Sequence, residues 1–418
     1  MDKKLFFMLL LLLGAVACSK NPRTNVLHSL SELQTNESDI RICTDSIIDL
    51  ATDRQEKCKT IRIPRKDRES CLDTIVSSYT FVPLQTKENC VVGQIEKIIV
   101  CPNCFCILDR DNRNAFLFEL DGTFRCKLGE KGHGPGEHLD AWNIAYDNEK
   151  QEIILLDLEG RKLMHYDLDG KLQHVESIYY LFTALEYQKD NMILYTGTSY
   201  NDFSDILDLS QLVIADRKQV PRAAGFRTPE QARNEFSFSS RMQKVGDEVI
   251  YDDMLSDTLW SITGKRKYPL VAISFDKSSR FNKEDKQHIS DRLFHDRENR
   301  FGSINNWRIS SNYISLLVRT PDSGRRLFNV LYSRKSGKCR VFGNNIGQKR
   351  LGDYLMSAAF DGVYDSSSFI RIVEPMDIMR YKENKRLNIE LDQKEQDMLE
   401  SLTLEDNPVL MIARLTDF

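Results

Sequence analysis

The sequence predicts an all-β fold of the β-propeller type, and two observations support this prediction. From Tyr79 onward, short runs of β-branched and aromatic residues alternate with Asp-Gly, Ser-Gly and Asn turns, a texture that is typical of many short strands. In addition, a unit of several strands recurs along the chain after about 48 residues. Repeats of roughly 40–50 residues with several strands each are the signature of propeller blades.

The repeat aligns without a gap. Residues 107–109 and 116–122 reappear as residues 155–157 and 164–170. Each copy indicates a strand that ends in Asp, a turn, a second strand and a Leu-Asp-Gly hairpin, whose glycine supplies the positive φ that a tight hairpin needs. The repeat by itself permits six or seven blades. The turn residues that it singles out are Asp109, Asp121, Gly122, Asp157, Asp169 and Gly170.

Weaker copies of the repeat follow, and polar segments separate them. One such segment, Lys286 to Glu298, places Ile289, Leu293 and Phe294 on one side of a helix. We therefore expect small helical insertions at one end of the propeller.

The N-terminus has the features of a bacterial lipoprotein signal. Lys3 and Lys4 precede an apolar run from Leu5 to Leu13, and Ala17 precedes Cys18. This order of basic, apolar and small residues predicts a signal peptide over residues 1–17, and the run is too short to span a bilayer. Cys18 is then the lipid anchor. The alternative is an ordinary secretory signal with a coincidental cysteine.

Residues 18–70 are polar, charged and without a clear pattern, which predicts a lipid-anchored spacer before a propeller over residues 71–418.

The net charge is −4, and charges of both signs are mixed throughout the chain. A nucleic-acid partner is therefore not expected.

Several cysteines cluster in the first predicted blade, at Cys101, Cys104 and Cys106, with Cys90 and Cys126 nearby. Three readings stay open: a metal site, a disulfide and small buried thiols. No second Cys-x-x-Cys pair follows at zinc spacing, so we favour buried thiols.

Three passages carry a resemblance to a known family. Residues 79–98 contain a Val-Pro-Leu-Gln-Thr run and a Gly-x-Ile-x-Lys-Ile strand, residues 129–138 read Gly-x-x-Gly-x-Gly-Pro-Gly-Glu-His, and residues 405–412 read as a closing strand. These passages resemble the six-bladed β-propeller lipoproteins of Bacteroidetes, which are distantly similar to NHL-repeat propellers. The resemblance runs from Tyr79 to the C-terminus and implies six blades but no established reaction. Gln85 and His138 stand where the family usually has Glu and an aromatic residue.

The glycine-rich motif is open to a structural and a ligand-binding interpretation. Its residues are Gly129, Gly132, His133, Gly134, Pro135, Gly136, Glu137 and His138. A dinucleotide fingerprint requires a helix after the glycines, whereas here another strand is predicted after them. We favour a loop that joins two blades, in which Glu137 accepts hydrogen bonds from backbone amides.

No catalytic constellation, metal site or cofactor is predicted. The motifs of nucleophilic hydrolases and zinc peptidases do not occur in the sequence. Asp109 and Asp157 are candidate carboxylates, but they recur at equivalent repeat positions, which indicates turn caps rather than one active site. His165 and His174 are predicted on strands.

We therefore predict a membrane-tethered binding module for a glycan, peptide or protein partner. The alternatives are a metal-dependent hydrolase or lyase of the propeller type and a structural subunit of an envelope complex. The predicted location is the cell envelope, with the lipid in the outer membrane and the propeller facing the periplasm, because Lys20 to Arg23 after the cysteine is basic rather than acidic.

Overall fold

The computed structural model describes most of the chain after residue 46. The described residues are 47–53, 58–63, 69–72, 74–197, 201, 204–227, 241–253, 258–275, 303–319, 327–347, 349–356, 359–384 and 389–418. The predicted signal peptide, Cys18 and the predicted helix over 286–298 lie outside these residues.

Five strands come before the first complete blade. They are β1 (Ile48–Asp49), β2 (Ala51–Thr52), β3 (Lys59–Ile63), β4 (Glu69–Cys71) and β5 (Val76–Pro83). Each of them pairs with a strand from much later in the chain.

The first three blades follow in chain order and are antiparallel sheets. Blade 1 contains β6 (Ile95–Val100), β7 (Cys104–Asp109), β8 (Asn114–Glu119) and β9 (Phe124–Lys127). Blade 2 contains β10 (Ala141–Asp147), β11 (Glu152–Asp157), β12 (Lys162–Tyr166) and β13 (Leu172–Ser177). Blade 3 contains β14 (Ala184–Gln188), β15 (Asn191–Tyr195), β16 (Ser210–Asp216) and β17 (Pro221–Arg227).

The remaining three blades complete the set. Blade 4 contains β18 (Met242–Val245), β19 (Glu248–Asp252), β20 (Thr258–Thr263) and β21 (Arg266–Phe275). Blade 5 contains β22 (Ser303–Ile309), β23 (Tyr313–Arg319), β24 (Leu327–Ser333) and β25 (Cys339–Gly347). Blade 6 contains β26 (Gly362–Val363), β27 (Ser368–Val373) and β28 (Val409–Leu415), with β5 as its outer strand.

The six blades form a closed ring. The first strand of each blade contacts the first strand of the next, and β26 of blade 6 contacts β6 of blade 1. Blade 6 joins the two ends of the chain, since β28 pairs antiparallel with β5, with Leu410 opposite Val82. The prediction of a six-bladed β-propeller with short helices is confirmed.

The hydrophobic core is divided among the junctions between neighbouring blades. Six clusters of buried apolar residues occupy the six junctions, such as Leu117 and Leu155 between blades 1 and 2. Both faces of each blade are therefore covered, so β7 and β11 are continuous apolar runs rather than alternating ones.

The segment before residue 72 differs from the spacer that the sequence predicts. β1 pairs parallel with β17, β2 and β3 pair parallel with β21, and β4 pairs parallel with β25. We call β1 to β4 the strap, because they follow the outer edges of blades 3, 4 and 5 in order. Alternation in the short strand β3 buries Ile61 and Ile63 against blades 4 and 5, a signal that the surrounding polar residues obscure.

In the part of the chain that the structure describes, four short helices lie between strands: α1 (Asp205–Asp208), α2 (Leu351–Leu355), α3 (Pro375–Glu383) and α4 (Gln393–Ser401). α4 begins with a capping box, in which Asp392 accepts from the Glu395 N–H at 2.8 Å and Glu395 accepts from the Asp392 N–H at 3.1 Å. α3 and α4 pack on the cluster between blades 5 and 6. No helix in the described ranges has both the length and the apolar composition that crossing a bilayer requires.

Candidate functional site

A cavity of about 570 Å³ lies where the inner strands of the blades converge. All six blades contribute to its wall, for example Lys97 from blade 1, Asn143 from blade 2, Glu186 from blade 3, Lys244 from blade 4, Arg308 from blade 5 and Asp361 from blade 6. Its volume is in the range that small-molecule sites have. We call this space the channel cavity.

Two lysines in the wall of the channel cavity, Lys97 and Lys244, form hydrogen bonds with neighbouring blades. The Lys97 Nζ donates to the Ile144 carbonyl oxygen at 2.7 Å and to Glu186 Oε1 at 2.9 Å, which links blades 1, 2 and 3. The Lys244 Nζ lies 3.4 Å from the Tyr146 carbonyl oxygen. Burial lowers the pKa of Lys244.

Two arginines of the wall are also paired. Arg241 Nη1 donates to Asp252 Oδ2 at 2.5 Å, and burial raises the pKa of Asp252 to about 6. The Arg308 guanidinium donates to the Asp361 carbonyl oxygen and to Asn306 Oδ1, each at 2.7 Å. Burial lowers the pKa of Arg308. The charges in the wall therefore largely compensate one another.

Two buried polar atoms of the wall residues have no hydrogen-bond partner in the described part of the chain. They are Asn143 Oδ1 and the Tyr146 hydroxyl, both on β10. Burial raises the pKa of Tyr146 to about 12, so its hydroxyl is a neutral donor. Unpaired buried polar groups are costly, and these two atoms have hydrogen-bonding capacity that the described residues do not use. The wall residues that the structure describes include no histidine and no cysteine.

The glycine-rich motif forms the connection between blades 1 and 2, outside the channel cavity. Gly129 and Gly136 have φ values of +72° and +82°, and a Cβ on Gly129 would lie 2.7 Å from the Tyr166 hydroxyl oxygen. Glu137 Oε2 accepts from the Gly134 N–H at 2.7 Å, as the sequence analysis expects. The motif is thus a folded loop with its own internal hydrogen bonds, and its ligand role stays a prediction.

Asp109 and Asp157 occupy equivalent positions and make equivalent bonds. Asp109 accepts from the Gly93 N–H at 2.9 Å and the Asp111 N–H at 3.0 Å. Asp157 accepts from the N–H groups of Leu139, Asp140 and Gly160 at 2.9–3.0 Å. Each carboxylate therefore ties its own turn to the segment that leads into the blade. In the two hairpins, Gly122 and Gly170 have φ values of +91° and +81°, and Asp121 accepts from the Thr123 N–H. The Asp169 N–H donates to Asp167.

Comparison with known proteins identifies the family. The profile of a domain of unknown function, DUF4934, matches residues 58–414. The chain belongs to the DUF4934 family. The match begins at residue 58, so it includes part of the strap as well as the six blades.

A solved structure from Bacteroides fragilis shares the fold of this DUF4934 chain. A protein of Bacteroides fragilis NCTC 9343, described as a candidate exported protein, has a TM-score of 0.72 and 18% identity over 86% of this chain and 100% of its own. A DUF4221 member from Bacteroides vulgatus has a TM-score of 0.45 and 8% identity over 82% of this chain and 97% of its own. No curated protein matches the chain.

Seven cysteines of the DUF4934 chain are free thiols, namely Cys58, Cys90, Cys101, Cys104, Cys106, Cys126 and Cys339. Cys90, Cys101, Cys104 and Cys106 are buried, and Cys126 is half-buried. Burial raises the pKa of Cys90 to about 12. This geometry agrees with the favoured interpretation of small buried thiols in the core between blades.

Sequence reasoning did not find the channel cavity. Many of its wall residues come from the first strands of the blades, where a few polar residues lie among apolar ones, as Asn143 does in β10 and Lys97 does in β6. The repeat contains a signal for this wall, because Lys97 and Asn143 lie in the strands that precede β7 and β11, the two strands that end in Asp109 and Asp157. The copies are too divergent after blade 2 for that signal to extend around the ring.

Proposed function

We propose that this DUF4934 protein is a binding module whose channel cavity holds a small, neutral, polyhydroxylated ligand of the carbohydrate class. The observation that carries the proposal is the cavity itself, with a volume of about 570 Å³ and a wall from all six blades. A ring of rigid blades presents such a wall with little rearrangement, as ligand sites usually do.

The charges in the wall support a neutral ligand. Lys97 is paired with Glu186, and Arg241 is paired with Asp252, so neither sign is left in large excess for a phosphate or a cation. The groups that need a partner are an amide oxygen and a phenol hydroxyl, which suit the hydroxyl groups of a sugar. Trp307 and Tyr364 add aromatic surface to the wall.

The cell envelope is the proposed location. The leader over residues 1–17 and the cysteine at position 18 have the order of a lipoprotein signal, and the relative from Bacteroides fragilis is described as a candidate exported protein. Lipid at Cys18 would hold the propeller beside the outer membrane. Metabolic labelling with a fatty acid should mark the wild type, whereas Cys18→Ala should be unlabelled and released into the soluble fraction. Label on the variant would contradict the anchor.

Ligand binding can be tested by calorimetric titration with a panel of mono- and oligosaccharides and a matched panel of short peptides. We expect at least one saccharide to bind, and we expect Tyr146→Phe and Asn143→Ala each to weaken that binding by about five- to tenfold, the effect of one lost hydrogen bond. Tyr179→Phe, at an exposed position outside the cavity, is the control. Binding of peptides alone, or equal affinity in all three variants, would contradict the proposal.

A further inference from the structure

A second group of chemically active side chains lies on blade 2, away from the channel cavity. Glu152, His165 and His174 stand on β11, β12 and β13, and one potential ligand atom from each lies within 4.8 Å of the others. His165 and His174 are directly opposite each other in the sheet. The hairpin at Gly170 creates this pairing, because the two histidines lie at similar distances on either side of it.

The two imidazole rings are stacked, with their centroids 4.0 Å apart and their planes 16° from parallel. The His165 ring is buried, with 2% of the residue exposed. The His174 side chain is 38% exposed. One ring is therefore fixed by the protein, while the other can turn about its side-chain bonds toward a shared ligand.

The hydrogen bonds of His165 are incomplete. Its Nδ1 lies 3.2 Å from Glu152 Oε2, whereas its buried Nε2 has no hydrogen-bond partner among the described residues. An imidazole ligates a metal ion through the lone pair of one ring nitrogen. The position of Nδ1 beside Glu152 makes Nδ1 the ligand atom of His165 in such a site.

Distances within the group suit a transition-metal ion. Two ligand atoms at ~2.0–2.1 Å from a tetrahedral zinc ion lie about 3.3 Å apart, close to the 3.2 Å between His165 Nδ1 and Glu152 Oε2. Glu176 Oε1 lies 3.3 Å from His174 Nε2 and 3.9 Å from His165 Nε2. A carboxylate in that position orients ligating histidines by accepting from the second ring nitrogen.

We propose that Glu152, His165 and His174 form a binding site for one divalent transition-metal ion of the zinc class, with Glu176 as the carboxylate that orients His174. Imidazole and carboxylate together favour zinc over calcium or magnesium, which prefer sets made only of oxygen ligands. The ion would link β11, β12 and β13 of blade 2. Its remaining coordination position would face water beside the partly exposed His174 ring.

The site can be tested on the purified mature protein after treatment with a chelator. Titration with ZnCl₂ in a calorimeter should give one ion per chain, and zinc should raise the midpoint of thermal unfolding. His174→Gln and Glu152→Gln should each weaken binding by at least about a hundredfold, and Glu176→Gln by about tenfold. His133→Gln removes an exposed histidine from the glycine-rich loop and should bind zinc as the wild type does.

Cobalt substitution separates this site from the cysteines of blade 1. The Co²⁺ protein should show the visible bands of a tetrahedral nitrogen and oxygen site without the intense ultraviolet band of a thiolate ligand. A thiolate band, the absence of stoichiometric zinc binding, or unchanged affinity in His174→Gln would overturn the proposal. Because His174 is exposed, its substitution leaves the core intact, and unfolding curves of the zinc-free variants verify this.

Discussion

At the scale of single residues, buried carboxylates have two different roles in this propeller. Asp157 is fully buried and accepts from three backbone amides, so it holds the connection between blades 1 and 2. Asp252 is buried beside Arg241 in the channel cavity. Asp157 therefore has a structural role, whereas Asp252 contributes charge to the wall of the proposed binding site.

We expect Asp157→Ala to lower the free energy of unfolding by about 3 kcal/mol, because it leaves one buried and two part-buried N–H groups without an acceptor. Urea denaturation of the two proteins measures this difference. Asp121→Ala is the matched control, since Asp121 is exposed and accepts from the Thr123 N–H at the hairpin, and its effect should be much smaller. Equal losses in the two variants would contradict the role assigned to Asp157.

Asp252 predicts a pH dependence of stability with a definite sign. Its pKa in the folded protein is about 6, above the ordinary value of 3.8, so the folded state binds the proton more tightly than the unfolded state. Stability from this group is therefore present below about pH 4 and is lost as the pH rises to about 6, a loss of about 3 kcal/mol. Asp252→Asn should remove this fall from unfolding curves measured between about pH 4 and pH 7. Asp190→Asn, at an exposed position, controls for the loss of one carboxylate.

At the scale of elements, the strap is the main departure from what the sequence predicts. Its strands are two to five residues long, and a hydrophobic pattern of that length is hard to distinguish from a polar spacer. The first two blades were predictable, because their Asp-Gly hairpins recur after 48 residues and both faces of each blade need apolar residues. The partners of β1 to β4 depend on ring closure, which a local pattern does not encode.

We expect Ile61→Ala to destabilise the protein by about 2–4 kcal/mol, because Ile61 in β3 is 1% exposed and packs between blades 4 and 5. Ile48→Ala in β1, where the residue is 49% exposed, should have little effect. Thermal and urea unfolding of both variants measure this contrast. If the segment were a spacer, the two substitutions would be equally harmless.

Leu50 and Gly225 give a second test of the strap. A Cβ on Gly225 would lie 2.8 Å from the Leu50 Cβ, so Gly225→Ala should cost about 1–3 kcal/mol by overpacking. In a Leu50→Gly background the same change should cost less, because the Leu50 Cβ that the new methyl group would meet is then absent. A double-mutant cycle measures the coupling. Gly362→Ala, where a Cβ would meet nothing closer than 3.5 Å, is the control, and additive costs would argue against the contact.

At the scale of the whole molecule, the ring is closed by pairing between distant parts of the chain. β5 and β28 are more than 300 residues apart in the chain and pair antiparallel. Asn407, just before β28, binds the segment that follows β5. Asn407 Oδ1 accepts from the Val92 N–H at 2.8 Å, and its Nδ2 donates to the Gln85 and Cys90 carbonyl oxygens, each at 2.9 Å. Without this closure, blade 6 would lack an outer strand and would expose an open edge.

Asn407→Ala should therefore lower the free energy of unfolding by about 2–4 kcal/mol, since it leaves the buried Val92 N–H and Cys90 carbonyl groups unpaired and removes a third bond to the exposed Gln85. Asn103→Ala, at an exposed position in blade 1, should be close to neutral. Because the closing contact joins both chain ends, hydrogen exchange should also accelerate in β5 and β28 of Asn407→Ala more than in β11 of blade 2. Uniform acceleration throughout the ring would contradict a local role for this side chain.

The order of the strap has a mechanical consequence for a protein proposed to hang from a lipid. Residue 47 lies at the outer edge of blade 3, and the chain then follows blades 4, 5 and 6 before it enters blade 1. A pull from the membrane would load β1 first, then β2 and β3, then β4, and only afterwards β5 and the closed ring. Each strand that detaches would lengthen the tether and lower the tension. The strap strands would therefore separate one after another before force reached the ring and its channel cavity.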